Sequence, residues 1–185
     1  MRLVQQTGAL QWHSASKDER RGFLAGYIDC AAYDVGWKYL LDLSWNAVEP
    51  KVTDYYDAHA SELQTPVASV FAKLASSQQP RKAAGGESYP EKHGIFDGDY
   101  WRQAPASHRL GYIEGYLVCQ RDQGKPVATF SNTTEWYVAQ ISQWYGVRDN
   151  DPGEIDEKRV DRKIANALYL LRDNGTGSRT PTKKP

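Results

Sequence analysis

The sequence predicts an all-α protein made of two pseudo-symmetric three-helix repeats packed through Gly-xxx-Gly helices. Three observations lead there. The stretch Glu19–Cys30 returns as His108–Cys119, every match 89 residues apart and without a gap. Arg20, Gly22, Gly26, Tyr27 and Cys30 are answered by Arg109, Gly111, Gly115, Tyr116 and Cys119, and upstream Trp12 by Trp101. Apolar faces at helical spacing also recur in matched places. Finally, the two copies open a helix at the same point by different means. Ser16 and Glu19 form a capping box, whereas Pro105 stands where its missing N–H would have had no partner.

Residues 1–11 read as a loose arm. The first helix is predicted from about Lys17 to Tyr33, with an extension through Trp37–Leu41 as the alternative, and its counterpart from about Ala106 to Arg121. A glycine inside a helix costs about 1 kcal/mol relative to alanine, so four of them need a reason. Glycines four apart share a face and let another backbone come close. These helices are therefore expected to pack on each other or on their own second helices. The second helix is predicted to start near Glu49–Lys51 because of Pro50, with Val52, Tyr55, Tyr56 and His59 on one face. In the second copy Ser131 or Asn132 is the expected cap, and Ile141, Trp144 and Tyr145 answer Val52, Tyr55 and Tyr56. The third helix opens at Thr65–Pro66 with Val67, Val70, Phe71 and Leu74 inward. Its counterpart shows Ile164, Ala167, Leu168 and Leu171, now 97 residues on, so extra residues fall in the polar loop 148–154. The organisation is thus repeat one over 1–78, a linker and strap over 79–100, repeat two over 101–173 and a disordered tail over 174–185.

Lysine plus arginine equals aspartate plus glutamate, 23 each. Zero net charge argues against broad electrostatic binding of nucleic acid or membrane. No run of about 18 apolar residues is present to span a bilayer. The start, Met1–Gly8, lacks the apolar stretch of a signal peptide, so the literal chain reads as cytoplasmic; a removed leader would make it periplasmic or secreted. Cys30 and Cys119 read as two small buried thiols, with a bridge between the halves as the alternative.

No motif of a phosphate loop, zinc protease, serine hydrolase or redox pair occurs, and no cofactor is expected. No nucleophile, base and oxyanion donor can be named together, which points away from an enzyme. The densest ionisable block is His93, Asp97 and Asp99, followed by Tyr100 and Trp101. Asp97 and Asp99 flank a glycine and can meet on a turn that holds a metal, or the turn can simply cap the next helix. Glu114 lies between Gly111 and Gly115 where the first copy has Ala25, so the repeat itself does not require an acid there. It either marks a site or pairs with Arg109 or Arg121. His93, Asp97, Asp99, Tyr100 and Glu114 form the candidate surface. His13, His59 and His108 suggest nothing together.

At Phe23, Gly26, Tyr27 and Ile28 the chain resembles helical bacterial proteins of the type VI secretion amidase-immunity group, where a similar stretch forms a packed helix. The resemblance extends more loosely to Tyr112, Gly115, Tyr116 and Leu117. That group carries a disulfide-bonded cysteine just before its Gly-Tyr pair and an export signal; here Leu24 and Ile113 stand near that point. The doubled arrangement also resembles bacterial two-repeat helical proteins without an assigned activity. The lack of a convergent catalytic set and the duplicated helical scaffold, which offers a groove or face to a protein, lead to the expectation of a non-catalytic interaction or inhibitor-like module with a protein partner. The alternative expectation is a small-molecule or metal-dependent enzyme or binder using the His93–Asp99 block.

Overall fold

The computed structural model describes residues 8–34, 44–76, 96–123, 130–147, 159 and 161–172. The linker 79–95 with His93, the loop 148–154, the proposed extension through Trp37 and the tail lie outside these residues. The described chain is all-α. Its helices are α1 (Ala9–Ser14), α2 (Lys17–Asp34), α3 (Trp45–Ala58), α4 (Val67–Ser76), α5 (Gly98–Gln103), α6 (Ala106–Asp122), α7 (Thr134–Trp144) and α8 (Ile164–Leu171). A 3-10 turn at Ala60–Glu62 follows α3. Among the described residues the only extended pairing is an isolated antiparallel bridge between Asp97 and Lys163. None of these helices is long and apolar enough to cross a membrane.

Helices α2 and α6 form the centre, and the others pack around them. Neither has a clear apolar stripe, because neither has a solvent face over most of its length. Every residue from Gly111 to Gln120 is buried, as is every residue from Gly22 to Ala32. The glycines set the spacing between the two. A Cβ built on Gly22 would lie 2.0 Å from the His108 carbonyl oxygen, and one on Gly26 would lie 1.9 Å from that of Tyr112. In the other direction, Gly111 and Gly115 would meet the carbonyl oxygens of Glu19 and Phe23 at 2.0 and 1.9 Å. The contacts advance in the same order along both helices, so α2 and α6 run parallel. No residue with a side-chain carbon fits at these four places without parting the backbones.

Toward their C-terminal ends, Cys30 of α2 and Cys119 of α6 form a disulfide with Cα atoms 6.1 Å apart. This corrects the reading of two free thiols. The parallel crossing holds matched positions within bonding reach, which sequence spacing alone does not convey.

Several element boundaries also differ from expectation. Short helices α1 and α5 precede the two central helices, so residues 9–14 are not a loose arm, and each central helix has a short helix ahead of it beyond the three expected. In α1 the Trp12 indole N–H donates to Thr53 Oγ1 at 2.9 Å; in α5 the Trp101 indole donates to Ser142 Oγ at 3.0 Å. Helix α3 starts at Trp45 with Pro50 inside it. The proline removes one intrahelical donor but does not begin the helix, because Trp45 is anchored by rings from elsewhere, Phe96 at 5.4 Å and Tyr100 at 5.8 Å. Helix α7 is capped by Thr133, whose hydroxyl accepts from Trp136 N, rather than by Ser131 or Asn132. At the start of α2 the Ser16 hydroxyl accepts from Glu19 N, as its capping box requires.

Candidate functional site

The block at the head of α5 is built around an unusual backbone. Phe96 has φ 54°, a left-handed conformation that bulky side chains rarely adopt. Such a residue persists only where its surroundings over-determine it. Here its carbonyl accepts from Ile164 N at 2.8 Å. Its ring is buried against Trp45, Tyr100 and Tyr112. Asp97 follows as the N-cap of α5, accepting from Tyr100 N at 3.1 Å, and its Oδ2 lies 4.0 Å from Lys163 Nζ. Asp97 is only 1% exposed. The segment therefore ties the start of α5 to the start of α8.

The other candidates separate. Asp99 lies in the first turn of α5 and is half-buried. Glu114 is buried within α6. Tyr100 points into the junction, where its hydroxyl and His108 Nε2 are hydrogen-bonded. The structure thus brings Asp97 and Tyr100 to one place, together with groups that the sequence reading passed over. Asp29 of α2 is fully buried and accepts from the Tyr112 hydroxyl. The signal that singled out Glu114 was available for Asp29 as well: its match in the second copy is Val118, so the repeat does not require an acid. His108 carried no signal of its own, since a lone histidine acquires meaning only from what packs on it.

Electrostatics at the junction follow burial. Burial, with the Asp29 carboxylate nearby, raises the Tyr112 and Tyr100 hydroxyls above the ordinary tyrosine range. Tyr145 is raised by burial, then by Asp97 and Asp29, and its hydroxyl donates to Arg162 O at 2.6 Å. Burial lowers Lys163, opposed by Asp97 and Asp29. Burial likewise lowers His108, opposed by the charge and backbone of Asp18 and reinforced by Arg21. The tyrosines stay protonated at neutral pH and serve as hydrogen-bond donors. Among the described residues no three His, Cys, Asp or Glu side chains converge as a metal ion requires.

A second feature lies on the outside of the same helix. Between α6 and α7 runs an open groove of about 630 Å³, lined by Arg109, Leu110, Glu135, Val138, Ser142 and Val147 among others. Arg109 sits at its wall with Nε donating to Trp101 O at 2.8 Å and Nη2 to Arg102 O at 3.1 Å.

No protein-family model, curated protein or solved structure matches this chain.

Proposed function

We propose that this protein is a non-catalytic interaction module of the inhibitor or immunity kind, made of two pseudo-symmetric helical units packed through their Gly-xxx-Gly helices. The reciprocal glycine contacts support the duplicated architecture: Gly22 faces His108 while Gly111 faces Glu19, and Glu19 and His108 are themselves matched positions. The observation that carries the functional reading is what the junction does with its ionisable groups. Asp97 caps a helix and pairs with Lys163, Asp29 takes the Tyr112 hydroxyl, and His108 takes Tyr100. The Asp29–Tyr112 bond joins the two units, the other two contacts fix the strap on the second unit, and Asp29, Asp97 and His108 are all buried. The stretch resembling amidase-immunity proteins, Phe23–Ile28, lies in the same packed centre and supports the same class.

Large apolar side chains left outside on α7 and α8 supply the contact surface, apart from Leu10 and Leu63, which are exposed elsewhere in the first half. Trp136, Tyr169 and Leu170 are 37%, 49% and 59% exposed. Trp136 lies near the start of α7 and the other two near the end of α8. The Tyr145 hydroxyl just after α7 donates to Arg162 O just before α8, which brings the C-terminal end of α7 to the N-terminal end of α8. Aromatic residues are the usual anchors of protein interfaces.

Affinity capture from the native host is the test, with the wild-type chain beside a Trp136→Ala, Leu170→Ser variant that keeps its melting temperature. A stoichiometric protein partner lost on the variant supports the reading. Stoichiometric metal in the purified protein, lost on changing His93 and Asp97 to alanine, would replace it with the metal-dependent alternative.

A further inference from the structure

The helix pairs α3–α4 and α7–α8 match in sequence, and their outer sides are satisfied differently. On the first, Glu62 accepts from the Tyr55 hydroxyl and from Lys73 Nζ, the latter at 2.9 Å. Acid and base close on each other there. In the second half Arg159 stands in the place of Glu62 and Leu170 in that of Lys73, each 97 residues on. That ion pair therefore has no equivalent. Arg159 lies instead over the ring of Trp144, which replaces Tyr55, 5.0 Å from the centroid. At the same spacing, Tyr169 and Arg172 replace Ala72 and Ala75. The helical unit demands none of these residues, since its first copy does without them. The Arg172 guanidinium lies directly over the Tyr169 ring, 3.5 Å from the centroid. A guanidinium held this way gives its face to the ring and keeps its N–H edge for an acceptor. Among the described residues no carboxylate takes that edge.

We infer that the end of α8 receives an acidic segment of a protein partner, an aspartate or glutamate carboxylate on Arg172 and apolar side chains on Tyr169 and Leu170. This rests on the interaction reading above and names the chemistry of the partner. Stacking on Tyr169 orients the guanidinium before the partner arrives, so less side-chain freedom is lost on binding. Arginine–carboxylate contacts are charge-assisted and frequently bidentate. The surrounding charge has the matching sign. Arg159, Arg162 and Arg172 outnumber Asp161 on this stretch, while Lys163 is set against Asp97. An acidic patch on a partner complements such a surface. Zero net charge over the whole chain gives no long-range pull on a polyanion, which favours a protein acid over nucleic acid.

The test uses the full chain and the protein identified by the capture above, purified and titrated by calorimetry. Arg172→Gln is expected to weaken binding by at least about tenfold at an unchanged melting temperature. Raised salt should weaken the wild-type complex more than that of the variant. Arg172→Lys supplies an amine at the same place. A water-soluble carbodiimide should join that amine to an aspartate or glutamate of the partner as an amide. If Arg172→Gln does not fold, the cross-link decides alone. Binding of a folded Arg172→Gln protein within about twofold of wild type, equal salt dependence of the two, or an Arg172→Lys complex without the cross-link overturns the inference. A partner lost on the Trp136→Ala, Leu170→Ser variant yet indifferent to Arg172 overturns it too, and leaves the protein-interaction reading standing. Capture of no stoichiometric protein, or of nucleic acid in its place, overturns both.

Discussion

Changing Gly26 to alanine tests the centre of the fold. The methyl group would enter 1.9 Å from the Tyr112 carbonyl oxygen and 2.7 Å from its carbonyl carbon. An ordinary carbon–oxygen contact is about 3.3 Å, so the helices must part locally by more than 1 Å. Both obstructing atoms are backbone, and no rotamer change relieves them. Overpacking of this kind costs about 1–3 kcal/mol. A gap of about 1 Å also forfeits a large part of the dispersion contact along the rest of the crossing. Against this, alanine gains about 1 kcal/mol in helix propensity. The net expectation is a loss of about 2–3 kcal/mol, or a fall in melting temperature of roughly 5–10 °C for a chain of this size. Urea unfolding of wild type, Gly26→Ala, Gly115→Ala and the double variant measures it. Parting the helices once relieves both clashes, so the double variant should lose clearly less than the sum of the two. A neutral or stabilising Gly26→Ala would mean propensity wins, and the close approach of α2 and α6 would be refuted.

Stability should fall on mild acidification through His108. Its folded pKa lies below the unfolded value of about 6.5, so the unfolded chain binds the extra proton. The His108 contribution is present above that value and lost as pH falls below it, with a slope of up to about 1.4 kcal/mol per pH unit. Urea midpoints between pH 8 and 5 should show a slope in the wild type that is reduced in His108→Gln; equal slopes would remove the histidine as the cause. Native protein should resist thiol alkylation after mild reductant, because both cysteines are fully buried. The Cys30→Ser, Cys119→Ser variant should be less stable by about 4–5 kcal/mol on the chain-entropy estimate for an 89-residue separation; unchanged stability would place the bridge outside the native balance. Asp97→Ala should cost about 2–3 kcal/mol, since it removes a helix cap and leaves Lys163 without this carboxylate. Asp99→Ala should stay within about 0.5 kcal/mol, and equal effects of the two on melting would sink that assignment.

The central helices were legible because their ends are written locally. Ser16 and Glu19 start one, Pro105 starts the other, and the observed helices begin at Lys17 and Ala106 as expected. The third apolar faces read correctly for the same reason, with Val67, Val70, Phe71, Ile164, Ala167 and Leu168 all buried. What was missed depends on distant partners. Six-residue helices such as α1 and α5 are too short to show a period, and they hold because Trp12 and Trp101 each reach a residue 41 positions away. Pro50 looked like a helix start because nothing near Trp45 announces the aromatic rings that anchor it. The junction cluster combines α2, α5, α6 and the approach to α8, so neither Asp29 nor Lys163 could be joined to Asp97 from spacing.

The bond from the Tyr112 hydroxyl to Asp29 has a further consequence, for which pairings the two halves can make. It joins positions that are not matched in the duplication: Asp29 answers Val118, and Tyr112 answers Phe23. Two copies of the first half, crossed in the same way, would bring each Asp29 to a phenylalanine ring with no hydroxyl to offer. A buried carboxylate deprived of such a donor costs several kcal/mol. Two copies of the second half would set the Tyr112 hydroxyl against the methyl groups of Val118. Only the unlike pair makes this bond. A crossing that glycines alone would leave indifferent to its partner thereby acquires a preferred mate, and each half is committed to the other.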